Sequence, residues 1–389
     1  MKKFLYYFKI FSILIGSFIL FAAISCCLPN KFVRHNIKKS ANDFLLEKDY
    51  PTAIIQGRAY TLDNFTDALI LDMAYCADSK DIVNSIFAPK CGVLNTIMHQ
   101  NLQLLTDGAI EPNVVYARYW HGSPFLIRFF LLFGNFNSIR HLLYIITSVL
   151  LVITGCTLYK KSGWITTIGF FGGFILLNGF MTQFSMQFAT DMILALVFTI
   201  IVCHRYQDAK CIPMLLFIDG CVTCYFDLLT TPVLTIGLPM IVYIMLNAEK
   251  QAQEPIGSGL GKVIVPSVLW GVGYFCTWIS KWILATIFTS FNAIKDGIHQ
   301  TLFRSGTGEG ITRWSAVREN LAQVSWEAVL VFVFLLVILI ILSFNKKNFK
   351  SILLLALFML LPYAWYVFAA NHSHIHCWFT YRDQMVTVS

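Results

Sequence analysis

The sequence predicts an all-α polytopic membrane protein with about nine transmembrane helices. Hydrophobic residues make up 57% of the chain and charged residues only 13%, whereas soluble domains contain roughly 25% charged residues. Several apolar runs also approach the length of about 20 residues that a helix needs to cross a bilayer. The net charge of +8 is then explained by basic residues on cytoplasmic loops, and it does not indicate a nucleic-acid partner.

The first predicted helix is an N-terminal signal anchor. Lys2 and Lys3 precede an apolar run over 8–28. This run is longer than the apolar core of about 7 to 15 residues in a cleavable signal peptide. We therefore expect the segment to be retained as the first transmembrane helix.

Eight further transmembrane helices are predicted at 139–159, 163–181, 189–204, 211–226, 230–247, 263–288, 326–344 and 351–370. With the N-terminus in the cytoplasm, the connections predicted inside contain the basic residues Lys160, Lys161, Arg205, Lys210, Lys250, Lys262, Lys346, Lys347 and Lys350. The short outside connections near 182–188 and 227–229 contain no lysine or arginine. This asymmetry predicts a multi-pass cell-membrane protein with a cytoplasmic N-terminus and an extracytoplasmic C-terminus.

The predicted topology divides the chain into four parts. They are the anchor (1–28), an extracytoplasmic loop (29–138), a transmembrane bundle (139–370) with an outer loop at 289–325, and an extracytoplasmic tail (371–389). In the first loop, "FTDALILDMAYC" and "GVLNTIMHQNLQLL" have the apolar spacing of amphipathic helices that lie on a membrane. "SPFLIRFFLLFGNF" (123–136) contains Arg128 and is too short to span, so it predicts an interfacial or re-entrant segment.

The eleven cysteines form no regular disulfide framework. Cys221 and Cys224 make a CxxC pattern inside a predicted span, where we interpret them as small packing residues. A structural zinc or disulfide role is the alternative.

Among the ionisable residues that lie in or beside predicted spans, three are candidate site residues. Asp191 begins the fourth span, Asp227 lies between the fifth and sixth, and Lys281 lies inside the seventh. Ionisable groups within membranes are costly and therefore indicate function. The alternative is that they are helix-end residues whose charged groups reach water. On the predicted topology all three lie near the outer face.

Two aspartates of the first outer loop are candidate general bases. Asp63 and Asp67 are four residues apart, so they share one face of a helix. A carboxylate beneath an external polar cavity can accept a proton from a reacting hydroxyl group. Asp63 can equally be the N-cap of the helix that follows it.

The motif "YARYWHG" supplies Arg118, Tyr119, Trp120 and His121 just before the short apolar segment. Aromatic residues at such a place are typical of a membrane-interface belt. The arginine and the histidine are also candidates for binding an anionic headgroup. Both interpretations remain open from the sequence.

The motif "NHSHIHCWFTYR" follows the last predicted span and contains His372, His374, His376 and Arg382. In an extended chain the three histidines point to the same side. They are then candidate ligands of a divalent metal ion, or they bind phosphate together with the arginine. The third interpretation is an interfacial tail with aromatic anchors.

The order of segments, an N-terminal anchor, a long outer loop with membrane-lying helices and acidic residues, and then a polytopic bundle, resembles the GT-C class of membrane glycosyltransferases. The motifs "DNFTD", "YARYWHG" and "NHSHIHCWFTYR" are also similar to segments of uncharacterised bacterial polytopic membrane proteins of surface-polysaccharide type. The resemblance implies transfer of a sugar from a polyprenyl-phosphate carrier to a glycan or lipid acceptor on the extracytoplasmic side, without a cofactor. It implies a catalytic aspartate in the first outer loop, at Asp63 or Asp67. It also implies phosphate contacts from Lys281, His372, His374 and Arg382.

Two other functions compete with this expectation. A polysaccharide polymerase or ligase also uses lipid-linked sugars from the outer side. A transporter or flippase of lipid-linked glycans also contains buried charges, usually near the midplane of the membrane. The predicted gathering of polar residues at one face favours the transferase.

Overall fold

The computed structural model of the chain describes residues 2–55, 58–92, 97–253, 255–308, 310–343 and 349–389. The protein is mostly helical. In chain order the first helices are α1 (Lys2–Cys26), α2 (Asn30–Glu47), α3 (Asn64–Cys76), α4 (Ile82–Phe87), α5 (Met98–Thr106), α6 (Gly122–Phe130), α7 (Phe136–Ser162), α8 (Trp164–Leu176), α9 (Met186–Arg205), α10 (Cys211–Phe226) and α11 (Val233–Leu246). They are followed by α12 (Ala248–Gln253), α13 (Ile256–Phe288), α14 (Ala293–Ser305), α15 (Arg313–Ala322), α16 (Trp326–Ser343), α17 (Phe349–Phe358), α18 (Leu361–Phe368), α19 (Ala370–Ile375), α20 (Cys377–Thr380) and α21 (Met385–Val388).

Short elements connect these helices. Three 3-10 turns lie at Ser79–Asp81, Gly179–Phe184 and Tyr381–Gln384. Two small antiparallel pairs form in the first loop: β1 (Thr52–Ile55) with β2 (Arg58–Thr61), and β3 (Lys90–Cys91) with β4 (Val114–Val115). Thr52 is opposite Thr61 in the first pair, and Lys90 is opposite Val115 in the second.

A helix lies at each of the nine positions where the sequence predicts a span. Within the described residues, five helices are long and apolar enough to cross a membrane: Lys2–Cys26, Phe136–Ser162, Met186–Arg205, Gly257–Phe288 and Lys350–Phe368. Three more apolar helices, α8, α10 and α11, are shorter. The last predicted span is interrupted between α17 and α18, where Pro362 lies in the first turn of the new helix, a position that proline favours.

The centre of the bundle is the contact between α10 and α13. Glycine allows the two backbones to approach closely, because a Cβ atom at Gly220 would lie 2.1 Å from the carbonyl oxygen of Trp270. Gly273 faces the carbonyl oxygen of Phe217 in the same way, at 2.3 Å. Such small-residue contacts are typical of helix pairs in membranes. Beside this pair, α11 is buried along almost its whole length.

The first loop folds against the bundle. The helix predicted from "FTDALILDMAYC" is α3, and most of its residues are buried, including Asp67 and Asp72. It packs against α2, α5 and α6. The second predicted amphipathic segment forms α5, although residues 93–96 of that segment lie outside the described part of the chain. The apolar spacing therefore predicts the helices, but burial by neighbouring elements determines their environment.

Arg128 fastens the short helix α6 to the ends of two longer helices. Its side chain is fully buried and donates hydrogen bonds to the carbonyl oxygens of Ser25, Ala74 and Ala77. It also donates to Oδ1 of Asn30 over 2.7 Å. The last carbonyls of a helix have no partner within the helix, so Arg128 satisfies the ends of α1 and α3 together. The first part of the segment predicted to be interfacial or re-entrant thus forms the mostly buried helix α6, whereas Phe133, which follows it, is 88% exposed.

The C-terminal segment is helical and packs back onto the bundle. Residues of α19 to α21 are largely buried, and Val386 lies directly against Gly237 of α11. Ser389 lies against Gly173 of α8. This arrangement differs from the tail predicted at 371–389, because tertiary contacts give the segment an apolar environment that a single sequence does not reveal.

We predict that Arg128→Met lowers the free energy of unfolding by about 3 kcal/mol or more, because several buried oxygen acceptors lose their donor. The measurement is thermal unfolding of the purified protein in detergent. The control is Arg318→Met, since the side chain of Arg318 is 78% exposed. Equal unfolding temperatures for the two variants would show that the buried contacts of Arg128 contribute little.

Candidate functional site

Ionisable side chains from several elements meet at one end of the bundle, where α9 begins, α10 ends and α11 begins. The carboxyl groups of Asp191, Asp227 and Asp383 form what we call the acidic cluster. All three residues are at most 1% exposed, and Asp227 interacts electrostatically with each of the other two. Arg304 and His372 lie beside it.

The backbone between α10 and α11 holds two of these carboxyl groups. Thr231 donates to Oδ2 of Asp191 from both its backbone N–H and its hydroxyl group, each over 2.9 Å. The backbone N–H of Thr230 donates to Oδ1 of Asp227 over 2.7 Å. The hydroxyl group of Tyr274, on α13, donates to Oδ2 of Asp227 over 3.1 Å. The connection between α10 and α11, which runs over 227–232 and is longer than the predicted 227–229, therefore positions Asp191 and Asp227.

This connection contains a strained residue. Leu229 has a φ of 75°, in the left-handed region that costs a non-glycine residue of order 1–3 kcal/mol. Its carbonyl oxygen lies 2.7 Å from Nε2 of His372. The neighbouring Leu228 N–H donates to Oε1 of Gln187 over 2.9 Å. Side-chain contacts on both sides thus hold the connection in its strained conformation.

His372 joins Arg304 to this connection. Its Nδ1 lies 2.6 Å from a terminal nitrogen of Arg304, which can only donate. Nδ1 therefore accepts, and Nε2–H donates to the carbonyl oxygen of Leu229. Burial and the adjacent Arg304 charge hold the pKa of His372 well below its usual value. The neutral ring thus fixes the orientation of the guanidinium.

The three histidines do not form the extended row that the sequence predicts. Residues Ala370–Ile375 form α19, so His374 lies on the opposite face of the helix from His372. The rings of His372 and His376 are 4.8 Å apart, but both nitrogens of His372 are already engaged. Within the described residues no three histidine, cysteine, aspartate or glutamate side chains are placed to hold a metal ion.

Arg304 is a site residue that the sequence analysis missed. Its guanidinium lies 5.9 Å from the ring centre of Tyr119 and interacts with the charge of Asp227. Its Nε has no hydrogen-bond partner. In the sequence, Arg304 is visible only as an arginine at the end of an amphipathic stretch of the predicted outer loop, "AIKDGIHQTLFRS". Nothing in that pattern indicates that its side chain points toward the bundle.

Asp383 is the second residue missed. It lies in the turn Tyr381–Gln384, its side chain is fully buried, and neither carboxyl oxygen has a hydrogen-bond partner. Burial, with a smaller effect of Asp227, raises its pKa well above the usual value. It directly follows Arg382 in the predicted tail, where an aspartate is expected to face water.

Asp63 caps α3 and also interacts with Arg382. Its Oδ1 accepts from the backbone N–H of Thr66 over 3.0 Å, which is the capping alternative given above. The side chain is nevertheless buried, and this burial raises its pKa, while Thr66 and Arg382 act in the opposite direction. The Arg382 guanidinium lies 5.0 Å from the ring centre of Phe188. The electrostatic interaction with Arg382 relates one candidate base to the predicted phosphate-binding motif.

Asp67 lies at a junction of four helices. Its Oδ1 accepts from the backbone N–H of Met186, at the start of α9, over 2.9 Å. Oδ2 lies 3.9 Å from Arg140 of α7, which also binds Glu47 of α2 over 2.9 Å. Burial raises the pKa of Asp67 to about 8, and the charge of Arg140 acts against this rise.

Residues of "YARYWHG" and Lys281 form a second polar group, which we call the aromatic chamber. Lys281 is fully buried, donates to the carbonyl oxygen of Ile86, and lies 5.6 Å from the ring centre of Trp120. His121 has a φ of 61° and is buried without a partner on either ring nitrogen. Burial, with the charges of Lys281 and Arg118, holds its pKa well below the usual value.

The acidic cluster and the aromatic chamber meet at Tyr119. Its buried hydroxyl group has no partner, and its ring stacks with Trp278 of α13 at 6.0 Å. Arg118 is directed away from the cluster to Asp296, with its Nε 3.4 Å from the carboxylate. The structure thus brings together Asp191, Asp227, His372 and Tyr119. It places Lys281, Trp120 and His121 in the adjoining chamber, and it separates His374 from His372.

Comparison with known proteins provides no assignment. No protein-family model, no curated protein and no solved structure matches this chain.

We predict that the stability of the protein depends on pH through Asp67. Because its folded pKa is raised to about 8, its stabilising contribution is complete below the unfolded value of about 3.9 and is lost as pH rises through about 8. The loss is at most about 1.4 kcal/mol per pH unit. Thermal unfolding between pH 5 and 9 should therefore show a smaller decline for Asp67→Asn than for the wild type. Parallel curves would contradict the prediction.

Proposed function

We propose that the protein is a membrane glycosyltransferase that takes a sugar from a polyprenyl-phosphate carrier and transfers it to an acceptor hydroxyl group, in cell-surface glycan synthesis. The observation that supports this function is Arg304, a cation with a free Nε that interacts with the charge of Asp227 at one end of an apolar helical bundle. A carrier of this kind has an apolar tail, an anionic phosphate and a polar sugar. The bundle surface, Arg304 and the acidic cluster correspond to these parts.

The reaction needs a cation and a base close together. The acceptor oxygen forms a bond to the anomeric carbon while the bond from that carbon to the phosphate oxygen breaks. The leaving lipid phosphate keeps the electron pair, and Arg304 stabilises its charge. The proton of the acceptor passes to a carboxylate within hydrogen-bond reach.

The carboxyl pair of Asp191 and Asp227 is our candidate for the base. Oδ1 of Asp191 has no partner, so it is free to accept a proton from the acceptor. In Asp63 and Asp67, the candidates from the resemblance, Oδ1 accepts from the backbone of Thr66 and of Met186. Oδ2 of Asp67 has no hydrogen-bond partner, but it lies 3.9 Å from the cation of Arg140. In this proposal they fix α3 against α9 and the C-terminal segment. His372 is a positioning residue, because it acts through Arg304.

The test uses the full chain in lipid nanodiscs with polyprenyl phosphates that carry a radiolabelled sugar. We expect Arg304→Gln to weaken binding of the carrier about tenfold or more, since a charge-assisted contact contributes about 1.5–3 kcal/mol. We expect Asp191→Asn to retain binding and to lower release of the lipid phosphate by roughly 10²-fold or more.

Arg318→Gln is the matched control, because it removes an exposed arginine of the same outer region. Binding without cleavage, combined with movement of the carrier across the bilayer, would replace the transferase by a flippase. Absence of binding for every carrier tested would overturn the proposal.

A further inference from the structure

We propose that α14 lies in the surface of the bilayer, with an exposed stripe of Ile294, Ile298 and Leu302 in contact with lipid acyl chains and with Leu302 deeper than Ile294. The inference does not depend on the proposed function, because the partner is the membrane itself. The sequence predicts only an outer loop at 289–325, without any contact between this helix and lipid. The support comes from the packing of α14 on α13 and from the side chains that the two helices leave exposed.

The helix α14 folds back along the end of α13. The backbone N–H of Ile294 donates to the hydroxyl group of Thr286 over 3.2 Å. Gly297 lies against the indole ring of Trp282, where a Cβ atom would be 2.3 Å from the ring. Contacts that advance along α14 thus go backwards along α13, so the two helices are antiparallel. The connection at 289–292 therefore lies at the outer end of the pair, and α14 returns from it toward the bilayer.

The last turn of α14 continues in the same direction. The Arg304 guanidinium lies 5.9 Å from the ring centre of Tyr119, and that ring stacks with Trp278 of α13. Trp278 lies about three turns before the end of α13 at Phe288, or roughly 15 Å along the helix axis. Since α13 is long and apolar enough to cross a membrane, α14 accompanies the outer turns of a membrane-crossing helix.

The residues of α14 separate into a face toward the protein and an exposed apolar stripe. Ala293 and Gly297 are buried against the protein. Ile294, Ile298 and Leu302 are 37%, 50% and 67% exposed, and their spacing of four residues aligns them along one side of the helix. The exposed fraction of these side chains thus increases toward the end that lies farther back along α13.

The stripe lies on the same side of the helix pair as an exposed apolar row on α13. On α13, the exposed Ile283 directly follows Trp282 of the contact. On α14, the exposed Ile298 directly follows Gly297 of the contact in the same way. Two right-handed helices that pack antiparallel turn such residues to the same side. The hydrocarbon around α13 therefore extends over the stripe of α14.

The opposite side of the helix pair faces the protein. Asp296 of α14 lies 3.4 Å from Nε of Arg118, and Trp278 and Trp282 of α13 both donate to the carbonyl oxygen of Arg118. One side of the pair is thus occupied by the first loop, and the other presents a continuous apolar surface. Continuous apolar surfaces of this kind mark contacts with a membrane or with another protein, and continuity with a membrane-crossing helix favours the membrane.

The polar residues of α14 fit this position. Lys295 and His299 are exposed and lie about 100° around the helix from Ile294 and Ile298. Lys295 belongs to the first turn, near the outer end of the pair, where its ammonium group can reach lipid phosphates while its methylene groups cover apolar surface. An apolar stripe beside a basic residue is typical of helices that lie in the membrane interface.

The test measures the surroundings of nitroxide labels on the full chain in nanodiscs of phosphatidylcholine and phosphatidylglycerol. The labels are attached through p-acetylphenylalanine, because the chain contains eleven cysteines. They replace Ile294, Ile298 or Leu302, one at a time. Collisions with oxygen, which concentrates in the bilayer, are compared with collisions with a water-soluble nickel chelate.

We expect frequent collisions with oxygen and few with nickel at all three positions. The label at Leu302 should lie about 6 to 12 Å deeper than the label at Ile294, because each residue of an antiparallel helix advances up to 1.5 Å along the axis. The matched controls are a label at Ile283, for the lipid-facing surface of α13, and a label at Asp208, for an exposed turn before α10.

Three results would overturn the inference. Frequent collisions with nickel would place the stripe in water. Few collisions with either reagent would show that protein, either a second copy of the chain or another partner, covers it. Equal depths at Ile294 and Leu302 would contradict the antiparallel descent into the bilayer. Each of these results leaves the transferase proposal standing, since that proposal is tested by binding and cleavage of the carrier.

A second measurement uses the unmodified protein, so it remains informative if a labelled variant fails to fold. Phosphatidylcholine with a diazirine on its acyl chain is photolysed in the same nanodiscs, and the lipid adducts are located by mass spectrometry. We expect adducts on α14 as well as on α13. Adducts on α13 without any on α14 would overturn the inference.

Discussion

The fold depends on one constraint: every helix end that is buried in the protein must find a hydrogen-bond partner there. Arg128 meets this requirement for α1 and α3 together, because its guanidinium reaches the last carbonyls of both helices. Together with the hydrogen bond from the Ser25 hydroxyl group to the carbonyl oxygen of Phe125, it holds the short helix α6 against these helix ends. The position of α6 in turn sets that of "YARYWHG", which directly precedes it, and hence of the aromatic chamber. The buried charge of Arg128 therefore contributes to the position of the candidate site through its contacts with α6.

The buried polar groups of the candidate site differ from Arg128 in their hydrogen-bond partners. Arg128 is surrounded by acceptors, whereas Asp383, Oδ1 of Asp191, Nε of Arg304 and both ring nitrogens of His121 have no partner. His121 and Leu229 also have positive φ values, so strained backbone and unsatisfied polar groups occur in the same region. Functional sites commonly combine these costs, since the missing partner is supplied by a ligand. The contrast between the two kinds of buried charge is the main physical reason for placing function at this end of the bundle.

Much of the fold follows from local sequence patterns. Apolar runs predict the positions of the helices, because hydrophobic length and helix length are directly related, and the ends of α10 agree with the prediction to the residue. The capping role of Asp63 was also available from its place before "NFT". The nearness of Asp191, Asp227 and the histidine motif followed from assigning helix ends to one side of the bundle. What could not be predicted depends on tertiary packing: the inward direction of Arg304, the burial of Asp383 and the helical form of the histidine motif. None of these has a periodicity or spacing of its own.

The glycine contacts between α10 and α13 have a consequence for the entry of the lipid carrier that we propose as the substrate. At Gly220 and Gly273 the two backbones are in direct contact, so separating the helices would lose the close backbone packing that the glycines allow. Lateral entry is therefore expected through another face of the bundle. The surface of α13 presents an apolar track of exposed side chains, Ile279, Ile283 and Ile287, that runs toward the connection to α14. A hydrocarbon chain could follow that track while its headgroup approaches Arg304 from the side.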